Sequence, residues 1–270
     1  MTDATATRLH RLVATDAHEG PVHAADEDAL YFTTGRPLVS IMRLHLATGR
    51  VDVVRADANM ANGMALDREG RLVICEQGDS ERPAAITRMD RATGAVETVA
   101  DAYRGRPLNS PNDVVVARDG AIWFTDPAYG HVQGFRPEPV LGEHVYRCDA
   151  AGVEIVAGGF DKPNGLALSP GEDVLYVTDS GAPHHVVALD LAGGARRVLH
   201  VTRSGSPDGI NVDAAGRVYA SAATGVDVLS PGGRLVDEIP LPGAVNFCFG
   251  PDVLFITTDD AVWSAPTKGA

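Results

Sequence analysis

Read for its apolar and polar positions, the chain is a series of short strand-like runs separated by turn residues, and the series returns six times. Each unit opens on a polar residue. Asn62-Gly63 leads into Met64-Ala65-Leu66, Asp67 to Gly70 forms a turn, and Leu72-Val73-Ile74-Cys75 follows. Asn112, Asn164 and Asp208 open units built alike, and Glu19 and Asn246 open weaker copies toward the two ends. The leading residues stand at 19, 62, 112, 164, 208 and 246, so the units are 43, 50, 52, 44 and 38 residues apart. A repeat of this size made of short strands is the signature of a propeller blade.

Each unit reads as four strands. The first alternates, as in Val114-Val115-Val116. The second is almost wholly apolar, as in Ala121-Ile122-Trp123-Phe124, which suits burial on both faces. The third alternates again (Ile86-Thr87-Arg88-Met89-Asp90), turns at Thr93-Gly94, and is followed by Val96-Glu97-Thr98-Val99. The last unit stops after its third strand, Ala261-Val262-Trp263-Ser264, while a spare strand lies near the start, around Leu9-His10-Arg11-Leu12-Val13. The pattern therefore predicts an all-β, six-bladed propeller with four antiparallel strands per blade. The N-terminal strand closes the ring and removes an unpaired edge. An open sheet of about 24 strands is the poorer alternative.

Composition changes this picture little. Residues 1–270 show no linker or break and are expected to form one domain. The formal charge of −13, from 23 basic and 36 acidic residues, argues against nucleic acid or an anionic membrane as a partner. The three cysteines, Cys75, Cys148 and Cys248, sit in or beside apolar runs and read as core residues. No apolar stretch is long enough for a signal peptide or a membrane span, so a cytoplasmic protein is expected. Oligomeric state leaves no mark in the sequence.

The chemistry follows from the symmetry. In a propeller the innermost strands all begin at one face, so Glu19, Asn62, Asn112, Asn164, Asp208 and Asn246 are expected at one mouth of the central channel. Taken singly, an Asn or Asp before Gly is an ordinary turn residue. Together, two carboxylates and several amides aimed at one axis call for a hard divalent cation, Ca²⁺ best, with Mg²⁺, Mn²⁺ and Zn²⁺ as alternatives. The loops that leave the second strands return to the same face and add Glu76 and Tyr129 as substrate contacts. Tyr129 lies at the root of a long excursion, Pro127 to Glu143. His18 is expected to point away from Glu19 by strand alternation.

Four motifs carry a resemblance over roughly residues 17–265. They are His18-Glu19-Gly20-Pro21, Ser110-Pro111-Asn112-Asp113, Lys162-Pro163-Asn164-Gly165-Leu166 and Ser206-Pro207-Asp208-Gly209. They resemble the family of gluconolactonases, regucalcin (senescence marker protein) and luciferin-regenerating enzyme. Trp123 to Gly130 and Asn246 to Gly250 resemble its bacterial gluconolactonase branch. The resemblance implies a six-bladed propeller with one catalytic divalent metal held by Glu19, Asn164 and Asp208. It implies that Asn112 ligates the metal or touches the substrate, and that Asp208 is the general base. Where the regucalcin branch has an Arg two residues before the Asn, this chain has Ser110, assigned with Asn62 to substrate binding. The expected reaction is metal-assisted hydrolysis of a sugar lactone. A phosphotriesterase or fluorophosphate hydrolase at the same site, and a non-enzymatic interaction propeller, are the alternatives.

Overall fold

A computed structural model describes residues 9–267. Six four-stranded antiparallel sheets follow one another along the chain as blades. Blade 1 runs through Glu19–Ala24, Ala29–Thr33, Ile41–His45 and Val51–Arg55, and blade 2 through Ala61–Leu66, Leu72–Glu76, Ala85–Met89 and Val96–Ala100. Blade 3 comprises Val114–Val116, Ile122–Asp126, His144–Asp149 and Gly152–Ala157, and blade 4 Pro163–Leu168, Val174–Asp179, His185–Asp190 and Arg196–Val201. Blade 5 comprises Ile210–Val212, Val218–Ala222, Gly225–Leu229 and Leu235–Ile239. Blade 6 takes Ala244–Phe249, Val253–Thr258 and Ala261–Pro266 from the C-terminal end and its outer strand, His10–Ala14, from the N-terminal end. Arg11 pairs with Trp263 there, which closes the ring as the spare strand predicts.

The core is divided among the interfaces between blades. Period-two alternation explains why the second strands are apolar throughout. In blade 2, Leu72 and Ile74 pack toward Tyr31 and Ile41 of blade 1. Their neighbours Val73 and Cys75 face Ile122 and Phe124 of blade 3. Blade 1 behaves alike: Tyr31 faces blade 2, whereas Leu30 and Phe32 meet Phe255 and Val262 of blade 6. Cys75, Cys148 and Cys248 are buried and unpaired.

The blades are also tied at the axis. Gly63 donates its amide to the carbonyl of Asn112 at 2.8 Å, and Gly165 donates to that of Asp208 at 3.3 Å. A Cβ on Gly63 would lie 2.3 Å from Oδ1 of Asp113 and 2.7 Å from the carbonyl of Asn112. In blades 1, 2, 4 and 5 the residue after the leading polar residue is therefore glycine, because the next blade occupies the space of a side chain.

Candidate functional site at the channel mouth

Two devices aim the leading side chains. Pairing registers break at the motif in blades 1, 2, 4 and 6, between Glu19 and Val22, Ala61 and Met64, Pro163 and Leu166, and Ala244 and Asn246. Such bulges turn a strand and redirect its side chains. Threonines at the ends of the second strands then fix the next blade. The Thr125 hydroxyl donates to the carbonyl of Asn164, and that of Thr178 to the carbonyl of Asp208, both at 2.6 Å.

As a result Glu19, Asn62, Asn112, Asn164 and Asp208 line one cavity of about 230 Å³, together with Tyr129. Ligand pockets commonly span about 300–1,000 Å³, so this one suits a small ring. Asn246 departs from expectation. Its Oδ1 accepts from its own strand at the Phe247 amide (2.7 Å), and its Nδ2 donates to Oε2 of Glu19 at 2.8 Å. It thus stands behind Glu19 and lines the channel on the other side, a cavity of about 450 Å³ walled by the innermost strands of all six blades.

Two expected substrate contacts face elsewhere. Glu76 is buried in a network of its own, accepting from Arg55 (2.5 Å), Thr87 (2.7 Å) and Asn59 (2.8 Å). Its neighbour Gln77 reaches the cavity instead. The register Ala61↔Glu76 places Glu76 at the strand end, and alternation sends adjacent side chains opposite ways. Ser110 is fully buried. Its hydroxyl donates to the carbonyl of Pro127 (2.7 Å) and accepts from the amide of Gly130 (2.9 Å). It therefore latches the insertion and is not on the cavity wall. Asp126 fixes the segment that carries Ser110 by accepting the amides of Asn109 and Ser110, each at 2.8 Å.

The insertion is fixed to the body. It carries a short helix, Tyr129–Val132, and the Arg136 side chain donates to the carbonyls of Asn109, Leu108, Asp79 and Arg82. This brings the Tyr129 hydroxyl to accept from Nδ2 of Asn164 at 3.2 Å. His18 also differs from expectation: it lines the cavity, with Nδ1 2.7 Å from Oδ1 of Asp259. His18 precedes the strand Glu19–Ala24, so strand alternation does not govern its direction.

Electrostatics set the site apart. Burial raises the pKa of Glu19 to about 7, helped by the nearby charge of Asp113, while the bonds from Asn246 and the Gly20 amide pull it down. Asp208 is pushed well above its ordinary value by burial and then by the charge of Glu19. Asp113, in the motif position that is Gly in most blades, is raised to about 7 by burial. Among the described residues no Lys or Arg lies within ion-pair distance of Glu19 or Asp208. Oδ1 of Asn112 and of Asn62 are buried without a hydrogen-bond partner. Buried polar atoms are normally paired, so these orphans face an absent partner. Two uncompensated carboxylates beside orphaned amide oxygens form a donor set that fits a hard cation. No group of three or more His, Cys, Asp and Glu side chains is placed to hold a metal among the described residues.

Fold and site together define a six-bladed propeller with a carboxylate–amide cavity at one mouth of its channel. Residues 17–260 match the family described as SMP-30/Gluconolactonase/LRE-like region, and the chain belongs to that family. It is 31% identical to a gluconolactonase of Zymomonas mobilis, over 93% of this chain and 78% of that protein. It is 29% identical to the pentonolactonase XacC of Haloferax volcanii, over 89% of this chain and 80% of that one. Its structure superimposes with a TM-score of 0.88 on a gluconolactonase from Xanthomonas campestris, XC5397, at 37% identity, covering 98% of this chain and 93% of the other. No helix among the described residues is long and apolar enough to cross a membrane.

Proposed function

We propose that this protein is a divalent-cation-dependent lactonase that hydrolyses a sugar lactone in the channel-mouth cavity. The observation that carries the reading is the pair Glu19, buried, and Asp208, half-buried, with no Lys or Arg in ion-pair range among the described residues, beside the orphaned oxygen of Asn112. Glu19, Asn112, Asn164 and Asp208 are the residues that would hold the cation, and oxygen-only donors favour Ca²⁺. When bound, the cation supplies Lewis acidity toward the lactone carbonyl. The names of the relatives, a gluconolactonase and a pentonolactonase, support an aldonolactone as the substrate class.

The chain's own groups do the rest. Asp208 accepts the proton of the attacking water on the carboxylate oxygen left free by the cation, and returns it to the ring oxygen as the ring C–O bond breaks. Tyr129, held by Asn164, and the amide of Asn62 orient the ring hydroxyls. The acid-rich wall and the charge of −13 fit a small-molecule partner rather than nucleic acid. Three buried unpaired cysteines fit a reducing cytoplasm, and residues 1–270 are read as a single domain.

The test is turnover of D-glucono-1,5-lactone by metal-stripped protein reloaded in turn with Ca²⁺, Mg²⁺, Mn²⁺ and Zn²⁺. Stripping should abolish activity and reloading restore it, and Asp208→Asn should lower kcat by roughly 10²–10⁴-fold. Full activity after exhaustive chelation, or in the Asp208→Asn variant, overturns the reading.

A further inference from the structure

The open end of the cavity carries a charge that the reaction itself leaves unused. Arg36, in the blade 1 loop between Ala29–Thr33 and Ile41–His45, is the only Lys or Arg on the cavity wall among the described residues. It is exposed, whereas Glu19, Asn112 and Asn164 at the inner end are buried. Its guanidinium lies over the ring of Phe135 from the blade 3 insertion, 5.2 Å from the centroid, so two loops meet across the mouth. It makes no ion pair and no hydrogen bond with any described residue. Other arginines of this acidic chain are engaged: Arg55 with Glu76, Arg82 with Asp57 and Asp79, Arg91 with Asp26.

A guanidinium stacked on an aromatic face is held in plane while its edge donors stay free, and that edge matches a carboxylate or phosphate in a forked pair. The two ends of the cavity then differ in charge. A divalent cation at the inner end balances the two carboxylates there, whereas Arg36 at the outer end has no counter-charge among the described residues and attracts an anion. A lactone with an anionic group on its far side is therefore oriented with its carbonyl inward. We propose that the natural lactone carries such a group, a carboxylate or a phosphate, and that Arg36 is the residue that selects for it. This rests on the lactonase reading above, and it adds the charge of the substrate and the side chain that recognises it. Gln77 and Gln133, on the same wall, add amide donors to the cavity.

The experiment compares three lactones on the cation-loaded protein: neutral glucono-1,5-lactone, its 6-phosphate, and a glucarolactone bearing a carboxylate. One of the charged lactones should exceed the neutral one in kcat/KM by ~10–100-fold, the range expected of a charge-assisted hydrogen bond. The advantage should collapse to about threefold or less in Arg36→Gln and survive in part in Arg36→Lys, which keeps the charge and loses the fork. Which anion wins identifies its source. Equal or better turnover of the neutral lactone, or an advantage that persists in Arg36→Gln, overturns the proposal. Should the wild type open none of the three, the lactonase reading fails separately, and Arg36 is judged by calorimetric binding of 6-phosphogluconate and glucarate. Affinity at least tenfold weaker in Arg36→Gln sustains anion recognition, and equal affinity ends it.

Discussion

Asn246 donates from Nδ2 to Oε2 of Glu19 at 2.8 Å, across a sequence separation of 227 residues. The leading residue of the last blade thus holds that of the first, and the site is completed by ring closure. Asn246→Ala should cost about 1–3 kcal/mol in urea unfolding, because Glu19 loses its amide donor and keeps the Gly20 amide at 3.0 Å and the carboxyl of Asp208. It should also weaken cation binding, measurable by calorimetry. An unchanged unfolding midpoint would remove Asn246 from this role.

The glycine that follows the leading residue in blades 1, 2, 4 and 5 is a packing requirement of the next blade. Gly63→Ala should destabilise by about 2–4 kcal/mol, since its Cβ would stand 2.3 Å from Asp113 Oδ1 and 2.6 Å from its Cα. Gly35→Ala, whose Cβ would meet only Asp16 Oδ1 at 3.4 Å, should stay within about 0.5 kcal/mol of wild type. Thermal melts of the pair give the comparison directly.

Tyr129→Phe removes the acceptor of the Asn164 side-chain amide at 3.2 Å while keeping the ring that fills the cavity wall. Asn164 then loses its orientation, and kcat/KM should fall by roughly 3–30-fold with the fold intact. A loss confined to KM would assign Tyr129 to substrate affinity alone.

The pH dependence of stability follows from three raised carboxyl groups at the channel, with Asp126 in blade 3 raised by burial to about 7 in the same direction. Glu19 moves from 4.5 to about 7, Asp113 from 3.8 to about 7, and Asp208 moves well up. The folded protein retains these protons where the unfolded chain has released them. The stability they contribute is full below about pH 4 and is lost as pH rises through about 7. The slope is at most about 1.4 kcal/mol per pH unit for each group. Metal-free protein should therefore melt at a lower temperature at pH 8 than at pH 5. Added Ca²⁺ should raise the Tm more at pH 8, because protons compete for the same oxygens. A Tm independent of pH across this interval would contradict the carboxylate cluster.

Much of the architecture was written locally. The number of blades, the doubly buried second strands and the N-terminal strand of blade 6 all follow from alternation and turn spacing, which neighbouring residues encode. The same repeat put Glu19, Asn62, Asn112, Asn164 and Asp208 at one mouth, since symmetry sends equivalent positions to equivalent places. Tertiary structure decided the rest. His18, outside the first strand of blade 1, reached the cavity, Asn246 was drawn behind Glu19, Glu76 was claimed by Arg55 and Ser110 by the insertion. Arg36 and Asp113 acquired meaning only from what stands across the channel. Periodicity fixes which strand face a residue occupies, but its partner belongs to another blade dozens of residues away, and only the packed ring brings the two together.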